Sequence, residues 1–134
     1  MPHCVILYTP NVEAKTDMTR LCRTLADEML TVLDETGKQV FPTGGARVLA
    51  YPAAHYAVAD GKGDYAFVYI NVRMGAGRSD AVKTMAGDRL LARVKEHFAP
   101  IFEHELIGIT LQIDESPGQV YDGKHSTLHP LFNK

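Results

Sequence analysis

A strand–helix–strand pattern that occurs twice constrains this chain more than any other feature. His3-Cys-Val-Ile-Leu-Tyr8 is a short apolar run closed by Thr9-Pro10-Asn11, the pattern of a buried strand ended by a turn. A helix is expected from a Thr16 cap to about Leu33, because Met18, Leu21, Cys22, Leu25, Met29 and Leu33 recur at three- and four-residue spacing. Gly37 is its expected stop. After the loop Phe41-Pro-Thr-Gly-Gly45, a second strand runs from about Ala46 to Tyr51 and is interrupted by Pro52. The second round opens with Tyr65-Ala-Phe-Val-Tyr-Ile70, apolar at nearly every position and therefore expected to be covered on both faces. Ser79 caps a second helix with the stripe Val82, Met85, Ala86, Leu90, Leu91, Val94 and Phe98, which Pro100 should end or kink. In Leu106-Ile-Gly-Ile-Thr-Leu-Gln-Ile113, apolar residues alternate as in a strand. Tyr56–Ala59 and Tyr65–Val72 flank Asp60-Gly-Lys-Gly-Asp64 and read as a hairpin.

The strand starts His3 and Ala66, the caps Thr16 and Ser79, and the return strands Ala46 and Leu106 stand 63, 63 and 60 residues apart. That spacing reads as a duplicated βαβ unit, with pseudo-repeats at about 2–60 and 64–115 and a tail from 116 to 134, all in one domain. The fold class is α/β (α+β): a four-stranded mixed sheet whose right-handed crossovers put both helices on one face. The other face has no cover within the chain, so an oligomer is expected to bury it. The tail, with turn signals at Pro117-Gly118 and Asp122-Gly123, could pack on a neighbouring subunit.

Composition removes several classes of function. A length of 134 residues leaves no room for a second core of ordinary size. The net charge of −2 provides no basic surface for nucleic acid. No apolar run approaches the roughly 18 residues that span a bilayer. The N-terminus enters a strand at once, without a basic region or cleavage site, so a cytoplasmic location is expected. Cys4 and Cys22 form no CxxC pair and read as small buried hydrophobes.

Three features carry chemical possibilities. If Met1 is removed, Pro2 presents a secondary amine at the mouth of a strand. A free α-amine titrates near pKa ~8. Apolar surroundings and nearby arginines disfavour its ammonium form, which would make it a general base near neutral pH. Gly75-Ala-Gly-Arg-Ser79 combines flexible glycines, the free amides of a helix start and Arg78, the elements of an anion site. It also fits an ordinary strand-to-helix connection. It lacks the third glycine of GxGxxG and the lysine of a P-loop. Arg47 follows Gly44-Gly45 at a strand entrance, and with Arg78 and Arg73 it could line one anionic pocket.

Pro2-His3, Phe41-Pro42 with Gly45-Ala-Arg47, Asp64-Tyr-Ala-Phe-Val68 and Gly75-Ala-Gly-Arg-Ser79 resemble 5-carboxymethyl-2-hydroxymuconate isomerases of the tautomerase superfamily. The resemblance runs from Pro2 to about Glu115. It implies a tautomerase-like fold, a homotrimer and no cofactor or metal. It also implies enol-to-keto isomerisation of an unsaturated tricarboxylate from hydroxyphenylacetate catabolism. Carried over by motif, Pro2 is the base and Arg47 and Arg78 hold the carboxylates of this small anionic substrate, with Arg73 a weaker candidate.

Other readings compete. One is a tautomerase acting on another enol acid, such as phenylpyruvate. Others are a non-catalytic anion-binding module of the same fold, and a small ligand-sensing module that dimerises through its sheet. The histidines do not assemble a ligand set by spacing: His125 and His129 flank a loop-like stretch, and His97 and His104 straddle Pro100. His3, by strand alternation, should point away from the side of Pro2. Arg23 beside Cys22 is weak support for a thiolate, since adjacent helical residues diverge. Glu103, Glu105, Asp88 and Arg89 read as surface charges.

Overall fold

The computed structural model describes residues 3–132. Its sheet has the order β2-β1-β3-β4, with β1 at His3–Tyr8, β2 at Val48–Pro52, β3 at Tyr65–Gly75 and β4 at Leu106–Ser116. β1 and β2 are parallel, as are β3 and β4, while β1 and β3 run antiparallel. Each parallel pair is joined through a helix, α1 at Met18–Leu30 and α2 at Asp80–Phe102. This is the expected mixed sheet.

Strand alternation sorts the two faces. Cys4, Ile6 and Tyr8 lie opposite Val72, Ile70 and Val68, and all six are buried. Leu21, Leu25 and Met29 of α1 join them in one core, together with Ala86, Leu90, Val94 and Phe98 of α2. Both helices therefore cover the same face. The other face carries Leu7, Leu49, Tyr51 and Phe67, all exposed in the single chain. β3 consequently alternates between buried and accessible positions instead of being covered on both sides.

Several boundaries differ from expectation for local reasons. The cap of α1 is Asp17, whose carboxylate accepts from the Arg20 amide at 3.0 Å. Thr16 is instead drawn to His97 Nε2 at 2.7 Å. The helix ends at Leu30 because Thr31 turns its hydroxyl back to the Glu28 carbonyl at 2.8 Å, and Leu33 bridges to Gln39. Gly37, at φ +83°, serves the Asp34–Lys38 turn and is not the helix stop. β2 starts at Val48 because Thr43–Gly45 forms a 3-10 turn that also takes up the amide of Ala46. The expected hairpin is absent. Residues 56–59 form no strand, since β1 and β4 already occupy both edges of β3. Pro100 does not end α2, which continues to Phe102: the proline removes one amide near the helix end, opposite the solvent-exposed Glu96. The tail contains a short helix, α3, at Leu128–Phe132, so His129 lies on a helical turn and not in a loop.

Candidate active site

Topology gathers Arg47, Arg73 and the Arg78 loop at one end of the sheet. β1 and β2 begin at this end, β3 and β4 finish there, and α2 starts from it. Pro2 lies outside the described residues. His3 opens β1, and two of the arginines flank the strand start. The Arg47 carbonyl accepts from the Cys4 amide at 2.9 Å on one side, and Arg73 stands opposite His3 on the other. Because Cys4 faces the core, His3 and Arg73 share the opposite, open face.

Arg47 is exposed and lines a cavity of about 380 Å³ between α1 and the start of β2. Thr19, Cys22 and Arg23 supply the α1 wall. Arg23, weighed from the sequence only as weak support for a Cys22 thiolate, lines this cavity, although its guanidinium already pairs with Asp27 at 2.8 Å. No motif marks it; only the packing of α1 beside Arg47 does.

Arg78 sits in the loop between β3 and α2. Gly77 adopts φ +110° there, a conformation in which a side chain would be strained. One guanidinium nitrogen donates to the Val40 carbonyl at 3.3 Å, while Nε is buried without a hydrogen-bond partner. The loop beneath is anionic. Asp34 is held below the usual carboxylate range by Thr36 and Lys38, with a smaller contribution from the Arg78 charge. Glu35 accepts from Ser79 Oγ at 2.6 Å and is likewise depressed, chiefly by that bond.

Ser79 caps α2 as expected, its Oγ accepting from the Val82 amide at 3.2 Å. That bond changes the reading of the helix start as a bare anion site. The cap takes up one amide, and the Glu35 carboxylate is already attached to the same hydroxyl. Cation character at this end is therefore carried by the arginine side chains more than by the helix terminus.

The segment 40–47 links the two arginine neighbourhoods, from the Val40 carbonyl under Arg78 to Arg47 itself. A feature with no signal in the sequence completes it: α3 packs on the Thr43–Gly45 turn. The Cα of His129 lies 3.3 Å from where a Cβ on Gly44 would stand.

The thiols are poor nucleophiles. Burial, with a smaller effect of Cys22, pushes Cys4 up to about 12, and burial also raises Cys22. Among the described residues, no group of three or more His, Cys, Asp or Glu side chains could hold a metal ion. No helix there is long and apolar enough to cross a membrane.

Comparison with known proteins agrees along the whole chain. The family model of 5-carboxymethyl-2-hydroxymuconate isomerase matches residues 2–132. The 5-carboxymethyl-2-hydroxymuconate Delta-isomerase of Escherichia coli is 30% identical over 132 residues, spanning 98% of this chain and 99% of that protein. A crystal structure of a 5-carboxymethyl-2-hydroxymuconate delta-isomerase superposes with a TM-score of 0.94 at 51% identity, covering 100% of this chain and 94% of that one. That of a 5-carboxymethyl-2-hydroxymuconate isomerase from Deinococcus radiodurans R1 gives 0.84 at 30% identity, covering 99% and 95%. More distant structures share the tautomerase-like arrangement of sheet and helices.

Proposed function

This chain belongs to the 5-carboxymethyl-2-hydroxymuconate isomerase family and is an isomerase of aromatic catabolism, and we propose that Pro2 is its general base while Arg47 and Arg78 hold the substrate carboxylates. The reaction converts an enol to a ketone. The amine of Pro2, freed by removal of Met1, takes the 2-hydroxyl proton. The electron pair moves along the conjugated chain as the carbonyl forms, and a proton returns to a carbon further along. Atoms and charge balance without an external oxidant, reductant or cofactor.

The arginines neutralise the carboxylates and lower the cost of charge developing on the dienolate. The observation that supports this reading is the convergence of Arg47, Arg73 and the Arg78 loop on the end of the sheet where β1 begins. Arg78 fits a carboxylate ligand because its hydrogen bond to the Val40 carbonyl is long, at 3.3 Å, and holds the guanidinium only weakly.

The working form on this reading is a cytoplasmic homotrimer of single-domain chains, each built from two related βαβ units. The exposed Leu7, Leu49, Tyr51 and Phe67 on the uncovered sheet face support self-association.

Intact mass combined with an isomerase assay on fractions with and without Met1 tests the base. Activity confined to chains lacking Met1 is expected, because an amide nitrogen is not basic. Equal activity with Met1 retained removes Pro2 from the mechanism. Inactivity of both forms moves the reading to a non-catalytic anion-binding module, and turnover of phenylpyruvate alone moves it to a different enol acid.

A further inference from the structure

By its chemical name, 5-carboxymethyl-2-hydroxymuconate carries three carboxylates. Two end the conjugated muconate chain, and the third sits on the carboxymethyl branch. Arg47 and Arg78, as proposed above, account for two of them.

Arg73 is a third cation at the same end of the sheet, and it is held in reserve. It stands on β3 opposite His3, on the open face, and is exposed. Among the described residues it makes no ion pair and no side-chain hydrogen bond. A carboxylate is nevertheless close by: Asp114 of β4 is its partner in register. Opposite charges that face each other across neighbouring strands ordinarily pair. Here Asp114 is taken by Asn71, two residues before Arg73 on the same face, whose amide donates to it at 2.7 Å. The acid nearest to Arg73 is thus tied back, and the guanidinium stays available to an anion from outside.

The other two arginines approach from the helix side. Arg47 lines the cavity against α1, and Arg78 reaches the carbonyl of Val40, a residue of the helix-side core. A ligand held by all three lies across the end of the sheet, with one group turned to the open face. The muconate carboxylates are conjugated and confined to one plane. The branch carboxylate hangs from a saturated carbon and rotates out of that plane without loss of conjugation. The branch is therefore the group that makes the turn.

We propose that Arg73 is the specificity-determining residue for the carboxymethyl branch: its guanidinium holds the third carboxylate on the open face, and Asn71 is a positioning residue that keeps Asp114 from occupying it. The inference rests on the isomerase reading above, with Arg47 and Arg78 on the other two carboxylates. It is compatible with self-association through the apolar part of the face. Phe67 lies six residues from Arg73 along β3, roughly 20 Å at about 3.3 Å per residue.

The test compares the tricarboxylate with 2-hydroxymuconate, the same dienol without the branch. The readout is the ratio of kcat/KM between the two substrates; where the dicarboxylate turns over too slowly, its inhibition constant replaces KM. Arg73→Ala should lower the preference for the tricarboxylate at least tenfold, chiefly through KM. Arg73→Lys keeps the charge and should retain most of the preference. Asn71→Ala releases Asp114 and should lower the same ratio, and adding Asp114→Asn should restore it. A parent enzyme without preference, or an Arg73→Ala variant with the parent's ratio, overturns the inference. An equal fall on both substrates with a changed particle mass in light scattering also overturns it, and makes Arg73 an interface residue. A ratio untouched by Asn71→Ala overturns the role given to Asn71. Failure of the underlying reading looks different: Arg78→Ala then leaves turnover of both substrates intact, whatever Arg73→Ala does.

Discussion

Glu28 offers the sharpest test of how the two helices are held together. It lies on α1 with 9% of its surface exposed, a costly place for a carboxylate unless it is paired. Arg93 of α2 donates from Nε to one oxygen at 2.7 Å, and Arg89 donates from Nε to the other at 3.0 Å. Thr31 adds its hydroxyl at 3.1 Å. These bonds, led by Arg93, hold the carboxyl below its ordinary range against the opposing effect of burial. Glu28→Gln keeps the shape and removes the charge. Bonds to charged groups contribute about 1.5–3 kcal/mol each, but Arg89 and Arg93 are 39% and 48% exposed and regain water when released. The net loss at neutral pH is therefore about 1–2 kcal/mol, or roughly 3–8 °C in melting temperature for a chain of this size. The sign of the pH dependence follows from the depressed pKa. The stabilisation is complete above the unfolded value, near 4.3, and disappears as pH falls through the lower folded value. Thermal unfolding of both proteins at equal concentration, at pH 7 and again on descending through the acid range below the unfolded value, should show the difference at pH 7 and its progressive loss as the folded carboxyl takes up its proton. A variant as stable as the parent at pH 7, or a deficit that persists undiminished in acid, refutes the argument.

Arg78→Ala should raise KM at least about tenfold with a smaller fall in kcat, and leave the melting temperature within a degree or two, because the residue gives the fold one long hydrogen bond; steady-state kinetics and calorimetry check both. Ser79→Ala removes the α2 cap and the hydroxyl that donates to Glu35, and should cost about 1 kcal/mol in denaturant unfolding. Gly44→Ala places a methyl 3.3 Å from the His129 backbone. It should loosen α3, seen as faster limited proteolysis at the C-terminal end with the core transition little changed.

Elements with strong periodicity or a defined cap were legible from the residues alone. β1, the Ser79 cap and the alternating apolar residues of β4, which pack partly buried against the core, follow from local chemistry that the tertiary structure reinforces. The errors arise where a distant partner decides. Thr16 has the chemistry of a cap, but a hydroxyl beside His97 is no longer free for it, and Asp17 takes the position. Tyr56–Ala59 has strand-like residues and a turn after it, yet pairing is a competition for edges, and β3 spends both of its edges on β1 and β4. The Glu28 cluster gives no signal in sequence, since its arginine partners are 61 and 65 residues away on another helix.

The arrangement of the arginines shows why motifs could be recognised before their assembly could. Arg47 precedes a strand and Arg78 follows one, so each stands at a different kind of element boundary. Within a βαβ unit, the parallel return brings strand starts to one end and strand finishes to the other. The antiparallel pairing of β1 with β3 inverts the second unit against the first. The starts of β1 and β2 then meet the finishes of β3 and β4, and Arg47, Arg73 and the Arg78 loop fall at the same end. Had β1 and β3 been parallel, Arg78 would stand a strand length away from Arg47. One relation between two central strands, expressed only through side chains that pair across them, thus decides whether these cations stand at one end of the sheet.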